Sequence, residues 1–339
     1  MDAFLTLPED RRRLLCVEAG NALGLAPASV EKDFWVCWTL RELFGVAGWG
    51  EQLWFKGGTS LSKGWKLIDR FSEDLDVVVN REFLGFGGEA LSKSRQKKLV
   101  KECSARIHKE LMPALRERIA ARLPKGDKWT LRAAPKDMDP DEQTLLFEYP
   151  SAFGGKADYI EPWVRIEMGS RSAIEPAEAP MLQPYICDAL PDAIGDASFA
   201  IRTVVPRRTF WDKAMLLHEE TYRPAEKAER KPRMSRHYYD VWAMIRKGVA
   251  EQAVADEDLF ERVAAYRVAF FGYGWMDYST LRRGTLRLLP LAGQVSAWKT
   301  DYDAMRREMF FGDPPSFDEI MTVVGEFEQR FNRPEASSS

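Results

Sequence analysis

The chain has 339 residues, of which 45% are hydrophobic and 30% are charged, and its formal net charge is −3. This composition is typical of an ordinary soluble globular protein, and the length suggests roughly two domains. No apolar run approaches the ~20 residues that a bilayer span requires, which excludes a membrane-spanning protein. The small net charge argues neither for nor against binding of nucleic acid. The distribution of charge along the chain must therefore indicate whether the protein binds it.

The four cysteines lie far apart, with no CxxC pair and no histidine at zinc-site spacing; they are Cys16, Cys37, Cys103 and Cys187. The N-terminal stretch MDAFLTLPEDRRRLL lacks the apolar core of a signal peptide. We therefore predict a cytoplasmic protein with unpaired thiols.

Hydrophobic periodicity and turn residues predict alternating helices and strands in the first part of the chain. In order, these are a helix over 9–22, a helix capped by Ser29, a strand over 52–56, a glycine turn at 57–58, a helical segment over 59–69, a strand over 74–79, a basic helical region over 91–123, and strands over 144–149 and 163–169. A proline-rich stretch then continues to residue 193. This first part reads as an α/β half.

A second, mainly helical region is predicted to start around Val204. Thr209 and Asp212 resemble a capping box that opens one helix, and another helix begins with RHYYD after a basic linker over 223–236. Ser316 and Glu319 form a capping box for the last helix, and RPEASSS reads as a frayed tail. The predicted boundaries are therefore 1–203, 204–332 and a disordered tail over 333–339.

The glycine cluster GFGGEA at 85–90 matches the letters of a dinucleotide-binding loop. The match is weak because charged residues separate it from the preceding strand. A loop without a nucleotide role is the preferred interpretation.

The stretch FKGGTSLSKGWKLIDRFSEDLDVVV at 55–79 carries the strongest chemical signal. Alternate residues of a strand point to the same face, so Asp74 and Asp76 are expected to project together. Two such carboxylates suit Mg²⁺ together with substrate phosphates, and the amides of the Gly57-Gly58 turn can bind an anion. This combination predicts a phosphoryl- or nucleotidyl-transfer centre, whereas the absence of a Walker A pattern disfavours P-loop chemistry.

These motifs resemble the DNA polymerase β-like nucleotidyltransferase superfamily and, within it, the AbiEii family of nucleotidyltransferase toxins. The stretches that carry the resemblance are KGGTSLSK…RFSEDLD, EKDFWVCWTLRELF, RTFWDKAMLLHEE, SRHYYD and FFGDPPSFDEI. The resemblance implies an α+β fold: a polymerase β-like domain with a mixed sheet, followed by a mainly α-helical C-terminal domain that completes the active site.

The resemblance also assigns roles to the residues of the first motif. Gly57, Gly58, Thr59 and Ser60 match the phosphate-binding turn, and Asp74 with Asp76 matches the catalytic metal-binding pair. Lys63 is expected to bind the nucleotide, with a solvent-facing helix lysine as the alternative. Ser72 is expected to contact the nucleotide or to cap the turn.

Three further positions are expected to contribute from elsewhere in the chain. Lys213 and Asp240 match motif residues of the second region and are assigned catalytic roles. Arg236 is expected to contact phosphate, with capping of its helix as the alternative. Glu167 is our own extrapolation as a third metal ligand, because polymerase β-like enzymes often add a carboxylate from a neighbouring strand. The competing interpretation pairs Glu167 with Arg165.

The implied reaction is Mg²⁺-dependent transfer of a nucleoside monophosphate from an NTP to an acceptor hydroxyl, with release of pyrophosphate. Related toxins suggest the 3′ end of tRNA, and the region 91–123, with ten Lys/Arg against three Glu, supplies positive charge for RNA. A protein hydroxyl is the alternative acceptor, and an inactive nucleotide-binding protein is a third possibility. A toxin of a phage-defence toxin–antitoxin system further implies a cognate antitoxin, while the base of the NTP stays open.

Overall fold

The computed structural model describes residues 1–72, 74–88, 91–154, 161–224, 226–227, 231–310 and 312–334, with only the backbone at 307–308. The chain divides into two compact units. Unit 1 consists of Met1–Lys66 and Phe71–Val204, and unit 2 consists of Leu67–Arg70 and the residues from Val205 onward. Part of the glycine cluster, part of the basic linker and most of the expected tail lie outside the described residues.

Unit 1 combines helices with a mixed sheet. Its helices are α1 (Asp2–Leu5), α2 (Glu9–Leu23), α3 (Pro27–Phe44), α4 (Gly57–Thr59), α5 (Lys93–Arg106), α6 (Met112–Arg122) and α7 (Tyr185–Ala189). A 3₁₀ turn covers Gly50–Gln52, and π-helical turns cover Ser60–Gly64 and Ile107–Leu111. Its strands are β1 (Leu53–Lys56), β2 (Asp74–Val79), β3 (Thr130–Ala133), β4 (Thr144–Glu148), β5 (Trp163–Gly169), β6 (Ala177–Glu178), β7 (Met181–Leu182), β8 (Phe199–Ala200) and β9 (Thr203–Val204).

Seven of these described strands form one sheet in the order β3-β4-β5-β2-β1-β9-β6. The pairs β2–β5 and β1–β9 are parallel, and the other neighbours are antiparallel. Strands β7 and β8 pair separately. A mixed sheet with a helical C-terminal region confirms the predicted α+β class.

One face of the sheet is buried beneath α3. Trp35 stacks on Tyr149 with ring centroids 5.4 Å apart, and Trp38 stacks on Phe147 at 5.6 Å. The burial of such large aromatic groups supplies much of the local hydrophobic stabilisation. This packing fixes α3 against the strands that carry the candidate site on their other face.

Unit 2 is helical in its described residues. Its α-helices are α8 (Pro206–Thr221), α9 (Arg236–Arg246), α10 (Val249–Ala255), α11 (Leu259–Phe270), α12 (Val295–Met309) and α13 (Phe317–Asn332), with 3₁₀ turns at Tyr278–Thr280 and Ala292–Gln294. Helix α8 packs against α9, α10 and α11. The capping box at Ser316 and Glu319 is confirmed.

Three local predictions were wrong, each because a helix boundary lies elsewhere. Helix α3 begins at Pro27, so Ser29 lies inside its first turn, and α8 begins at Pro206, so Thr209 and Asp212 lie inside that helix. Proline at a first helical position has no donor to satisfy and can start a helix without a side-chain cap. The helical segment after the glycine turn ends at Gly64, because Lys66 adopts a positive φ of 51° and the chain turns away.

The four cysteines are buried and unpaired, as predicted. Among the described residues, none of the helices combines the length and apolar character that a bilayer crossing would need.

Helix α8 contains a buried histidine that makes the stability of the protein depend on pH. The His218 Nδ1 atom accepts the Arg287 backbone N–H at 2.8 Å, and Nε2 lies 3.1 Å from Thr280 Oγ1. Burial lowers the pKa of His218 to about 4. Unfolding returns this pKa to roughly 6.5, so the unfolded chain binds the proton more tightly.

We predict that this contribution to stability is full above pH 6.5 and is lost as pH falls towards 4, by about 3 kcal/mol in total. Urea unfolding of the native protein and of His218→Asn across pH 4–8 measures it. The asparagine can still accept the Arg287 N–H but does not titrate, so its free energy of unfolding should fall less steeply. Identical pH slopes would contradict the assignment.

Candidate functional site

The polar face of the sheet in unit 1 carries the two predicted carboxylates. Strand β2 alternates, with Asp74 and Asp76 on this face and half-buried, while Leu75 and Val77 are buried on the other. In register with Asp76 lie Lys56 of β1 and Glu167 of β5, and Asp74 is in register with Arg165. We call Lys56, Asp74, Asp76, Arg165 and Glu167 the carboxylate face.

Gly57 occupies the point where the turn after β1 meets Asp76. Its φ is +80°, a left-handed conformation that side chains rarely adopt. A Cβ atom at this position would overlap the Asp76 carboxylate. The double glycine therefore lets the turn lie directly against Asp76, which explains why it sits so shortly before the aspartates.

The hydroxyl groups of the motif hold the turn and the strand together. Thr59 Oγ1 donates to the Asp74 backbone carbonyl at 2.6 Å and lies 2.9 Å from Ser72 Oγ. Ser60 Oγ donates to the Gly57 carbonyl at 2.9 Å. Thr59 and Ser60 are fully buried and Gly58 is also buried. The hydroxyls thus fix the position of the turn, and the half-buried Gly57 is the part of its backbone that a phosphate could contact.

Lys63 is buried rather than solvent-facing. Its Nζ lies 2.9 Å from Asp33 Oδ1 and 3.1 Å from Oδ2, and 3.5 Å from the centre of the Tyr185 ring. Burial alone would lower the pKa of Lys63, but the Asp33 carboxylate outweighs burial and raises it. This contact ties the glycine turn to α3, so a structural role now competes with the predicted nucleotide contact.

Lys213 and Asp240 meet in the interior of unit 2 together with Arg70. Lys213 Nζ lies 2.8 Å from Asp240 Oδ2. The Arg70 guanidinium donates to both oxygens of Asp240, at 2.7 Å to Oδ1 and 2.8 Å to Oδ2. Asp240 is fully buried, Arg70 is 2% exposed and Lys213 is 8% exposed. We call these three residues the buried charge cluster.

The electrostatics of the buried charge cluster follow from two cations sharing one carboxylate. Burial alone would raise the pKa of Asp240, but Arg70 and Lys213 override it and hold that pKa below its ordinary value. Burial lowers the pKa of Lys213, and Arg70 adds to this effect while Asp240 opposes it. Asp240 is thereby held as a carboxylate between Arg70 and the Lys213 amine.

His237 and Arg236 lie at the start of α9, beside the cluster. The His237 ring nitrogen Nδ1 is 3.4 Å from Lys213 Nζ, and burial with the adjacent Lys213 lowers the pKa of His237 well below its ordinary value. Arg236 is half-buried and donates to the Arg233 carbonyl at 2.7 Å. A neutral His237 therefore leaves the positive charge of the cluster to Arg70 and Lys213.

The donor set on the carboxylate face fits a magnesium ion that is completed by substrate. Asp74 and Asp76 supply hard oxygen ligands on one face, and Mg²⁺ commonly takes one or two carboxylates plus phosphates and water. Glu167 lies beside Asp76 but forms an ion pair with Arg165 at 2.9 Å. Within the described part of the chain, no group of three or more His, Cys, Asp or Glu could hold a metal. Glu167 as a third ligand stays a prediction.

Sequence reasoning missed three contributors. They are Lys56, whose Nζ donates to Ser172 Oγ at 2.9 Å, Asp33 and Arg70. Each had a local signal: Lys56 directly precedes the glycine turn, Asp33 interrupts an apolar helix, and Arg70 precedes the aspartates by four residues. Their partners are distant in sequence, so the signal alone did not reveal the contacts.

The mixed sheet, the glycine turn and the paired aspartates are consistent with the nucleotidyltransferase class. The family model described as nucleotidyl transferase AbiEii toxin, type IV TA system, matches residues 38–323. The chain therefore belongs to the AbiEii nucleotidyltransferase toxin family. A search of the curated proteins finds no significant match.

We predict that Gly57→Ala lowers both stability and activity, because the substitution forces a left-handed alanine against Asp76. The strain should cost about 1–2 kcal/mol, and the displaced carboxylate should reduce nucleotidyl transfer strongly. Gly48→Ala is the matched control, since Gly48 has a φ of +75° but nothing within 4 Å of the added Cβ. Urea unfolding and a transfer assay compare them; equal activity in the two variants would disprove the role of the close approach.

We predict that Lys63→Met destabilises the protein by about 3–5 kcal/mol, because it leaves Asp33 buried without its cation. The double variant Asp33→Asn/Lys63→Met should recover most of that loss, since it removes both charges. Urea unfolding of both, with exposed Lys125→Met as control, measures this. A double variant no more stable than the single would refute the pairing argument.

The same double variant distinguishes the two roles of Lys63. If it recovers both stability and transfer activity, Lys63 is structural. If it recovers stability alone, the predicted nucleotide contact is supported.

Proposed function

We propose that this protein transfers a nucleoside monophosphate from an NTP to the 3′ end of an RNA, with tRNA as the acceptor, in a Mg²⁺-dependent reaction. The single observation that carries the transfer chemistry is the position of Asp74 and Asp76 on one sheet face, with the Gly57 turn directly against Asp76. In this proposal the cation site lies beside backbone that can approach phosphate closely. Family membership supports the reaction class.

In this proposal Asp74 and Asp76 hold the metal, which would neutralise charge on the triphosphate when bound. The backbone of Gly57 and Gly58 lies against the phosphates, since neither residue has a side chain to keep them away. Thr59, Ser60 and Ser72 act by fixing that backbone. The acceptor oxygen bonds to the α-phosphorus as the bond to pyrophosphate breaks, and the proton of the acceptor hydroxyl passes to solvent water.

Lys56 extends the candidate phosphate contacts beyond the expected set. It lies on the same face, in register with Asp76, and its amine donates to Ser172 Oγ; within the described residues it makes no ion pair with a carboxylate. A cation at this position would offset the charge of the triphosphate beside the two aspartates. Its role is therefore binding and orientation of the nucleotide.

We assign to Lys213 the stabilisation of negative charge on the phosphates, and to Asp240 the positioning of the Lys213 amine. The Lys213 amine lies 2.8 Å from Asp240 inside the buried charge cluster, and a buried amine of this kind would be stabilised further by an anionic ligand. Arg236 adds a further half-buried cation next to the cluster. Asp240, gripped on both oxygens by Arg70, holds the Lys213 amine in a fixed orientation.

The family description supports a role as the toxin of a type IV toxin–antitoxin system. We propose that a cognate antitoxin is its biological partner and that the system acts in phage defence within the cytoplasm. An RNA acceptor is favoured over a protein hydroxyl by the positive charge of the region 91–123, which carries ten Lys/Arg against three Glu.

The test incubates native protein, Asp76→Asn and Asp137→Asn with each α-³²P-labelled NTP and total bacterial tRNA, with Mg²⁺ or EDTA. Asp137 is an exposed carboxylate of the same unit and serves as the matched control. We expect label on tRNA from the native and Asp137→Asn proteins, and a loss of roughly 10²-fold or more for Asp76→Asn or on chelation.

The position of the label separates the alternatives. Label on a protein band in place of RNA would replace the RNA acceptor by a protein hydroxyl. Folded native protein that neither transfers label nor binds any NTP would overturn the proposed activity.

A further inference from the structure

Helix α5 presents positive charge that the fold itself does not use. The region 91–123 has an excess of seven formal positive charges in sequence, but its two halves differ in the structure. From the last residue of α5 onward, the arginines have internal partners: Arg106 pairs with Glu110 at 2.9 Å, Arg118 pairs with Glu42 at 2.7 Å, and Arg116 donates to the Leu131 carbonyl at 2.6 Å. Those cations stabilise the unit and are not available to a ligand.

The earlier cations of α5, before Arg106, differ from these arginines in their contacts. Within the described residues, five exposed cations of α5 make no ion pair with a carboxylate; they are Lys93, Arg95, Lys97, Lys98 and Lys101, which we call the α5 cationic face. Lys93, Lys97 and Lys101 recur at every fourth position, so they form a stripe with steps of about 6 Å along the helix. The five charges therefore span about 12 Å of one exposed surface.

The opposite side of α5 anchors the helix. Leu99 and Cys103 are fully buried, and the Val100 carbonyl accepts the Gln143 side-chain amide at 3.0 Å. The cationic face is therefore presented by a packed helix rather than by a loose segment. Its charges keep a fixed spacing, which favours a ligand with regularly repeated negative charge.

An aromatic side chain borders the face. Phe86 is half-buried, and the Arg95 guanidinium carbon lies 5.9 Å from the centre of its ring. Aromatic rings beside a basic surface provide stacking positions for unpaired bases. Protein-binding surfaces instead concentrate large apolar side chains at their centre, and none of the large exposed hydrophobic residues of the described chain lies between 91 and 123.

We propose that the α5 cationic face, with Phe86 at its border, binds the sugar–phosphate backbone of the RNA acceptor. The inference rests on the proposed function, whose acceptor it locates on unit 1. Binding of this kind is largely electrostatic, because each phosphate contact releases a counterion and makes the affinity salt-dependent. The surface holds the acceptor, while the carboxylate face carries the chemistry.

The test compares two triple variants of equal charge change in an Asp76→Asn background. Lys93→Gln/Lys97→Gln/Lys101→Gln alters the proposed surface, and Lys109→Gln/Lys125→Gln/Lys128→Gln removes three other exposed lysines of unit 1. Binding of labelled tRNA is measured between 50 and 300 mM salt, roughly the range over which such contacts weaken. Thermal unfolding verifies that both variants are folded.

We expect the first variant to bind tRNA about 10-fold or more weakly at low salt, with the slope of log K against log salt reduced by about 2. The control should change affinity by about twofold or less, because generic charge contributes little. In the Asp76-containing background, the first variant should raise KM for RNA and leave KM for the NTP unchanged. Polyglutamate at equal charge concentration should compete poorly.

Equal affinity and equal salt slope for the two triple variants would overturn the proposed surface. Polyglutamate binding as tightly as tRNA would also overturn it, because the face would then recognise acidic protein. Transfer to RNA with an unchanged KM in the first variant would refute this surface while the proposed function stands. Absence of transfer to RNA by the native protein would refute the proposed function, and the binding comparison would still report on the surface.

Discussion

A buried ion pair between Asp33 and Lys63 determines how unit 1 presents its candidate site. Both side chains are less than a tenth exposed, so separating them would leave an unpaired charge in the interior at a cost of several kcal/mol. Asp33 belongs to α3, which packs on the sheet, and Lys63 belongs to the turn that follows Gly57. The Tyr185 backbone N–H also donates to Asp33 at 2.6 Å. The pair thus fixes the glycine turn to the same helix that covers the apolar face of the sheet.

The Asp33–Lys63 pair also fixes where the aspartates of the carboxylate face lie relative to the glycine turn. Once the turn is fixed, Thr59 can hold the backbone of Asp74, and Gly57 can lie against Asp76. The side chains that in the sequence look like ligands, Thr59 and Ser60, are therefore engaged in positioning. What remains directed outward is backbone and carboxylate, which are the groups suited to phosphate and a hard cation. In the proposed reaction, preorganisation of this kind would let the site act by geometry and charge, without a covalent intermediate on the protein.

The sequence predicted the elements whose signals are local. The strand over 74–79, the shared face of its aspartates, the basic helices and the last capping box were all predicted from spacing and turn chemistry. Contacts between residues distant in sequence were not: the pairing of Lys63 with Asp33 spans 30 positions, and that of Arg70 with Asp240 spans 170. Periodicity also misled after Gly64, because Leu67–Arg70 belong to the other compact unit. A helical pattern of apolar residues records burial but not the unit in which the residues are buried.

The buried pair of Asp33 with Lys63 and the buried charge cluster differ in composition, and that difference separates the structural contact from the proposed functional one. Asp33 and Lys63 compensate each other, so their contact is complete without a ligand. In the buried charge cluster, Arg70 and Lys213 share the single carboxylate of Asp240, and neighbouring His237 is neutral because burial lowers its pKa. A buried cation in such a setting is stabilised when an anion approaches it. Lys213 is 8% exposed and Arg70 is 2% exposed, so an anion would approach the cluster through Lys213. Its pairing with Asp240 within one unit therefore accounts for why a lysine, rather than an apolar residue, occupies this position of α8.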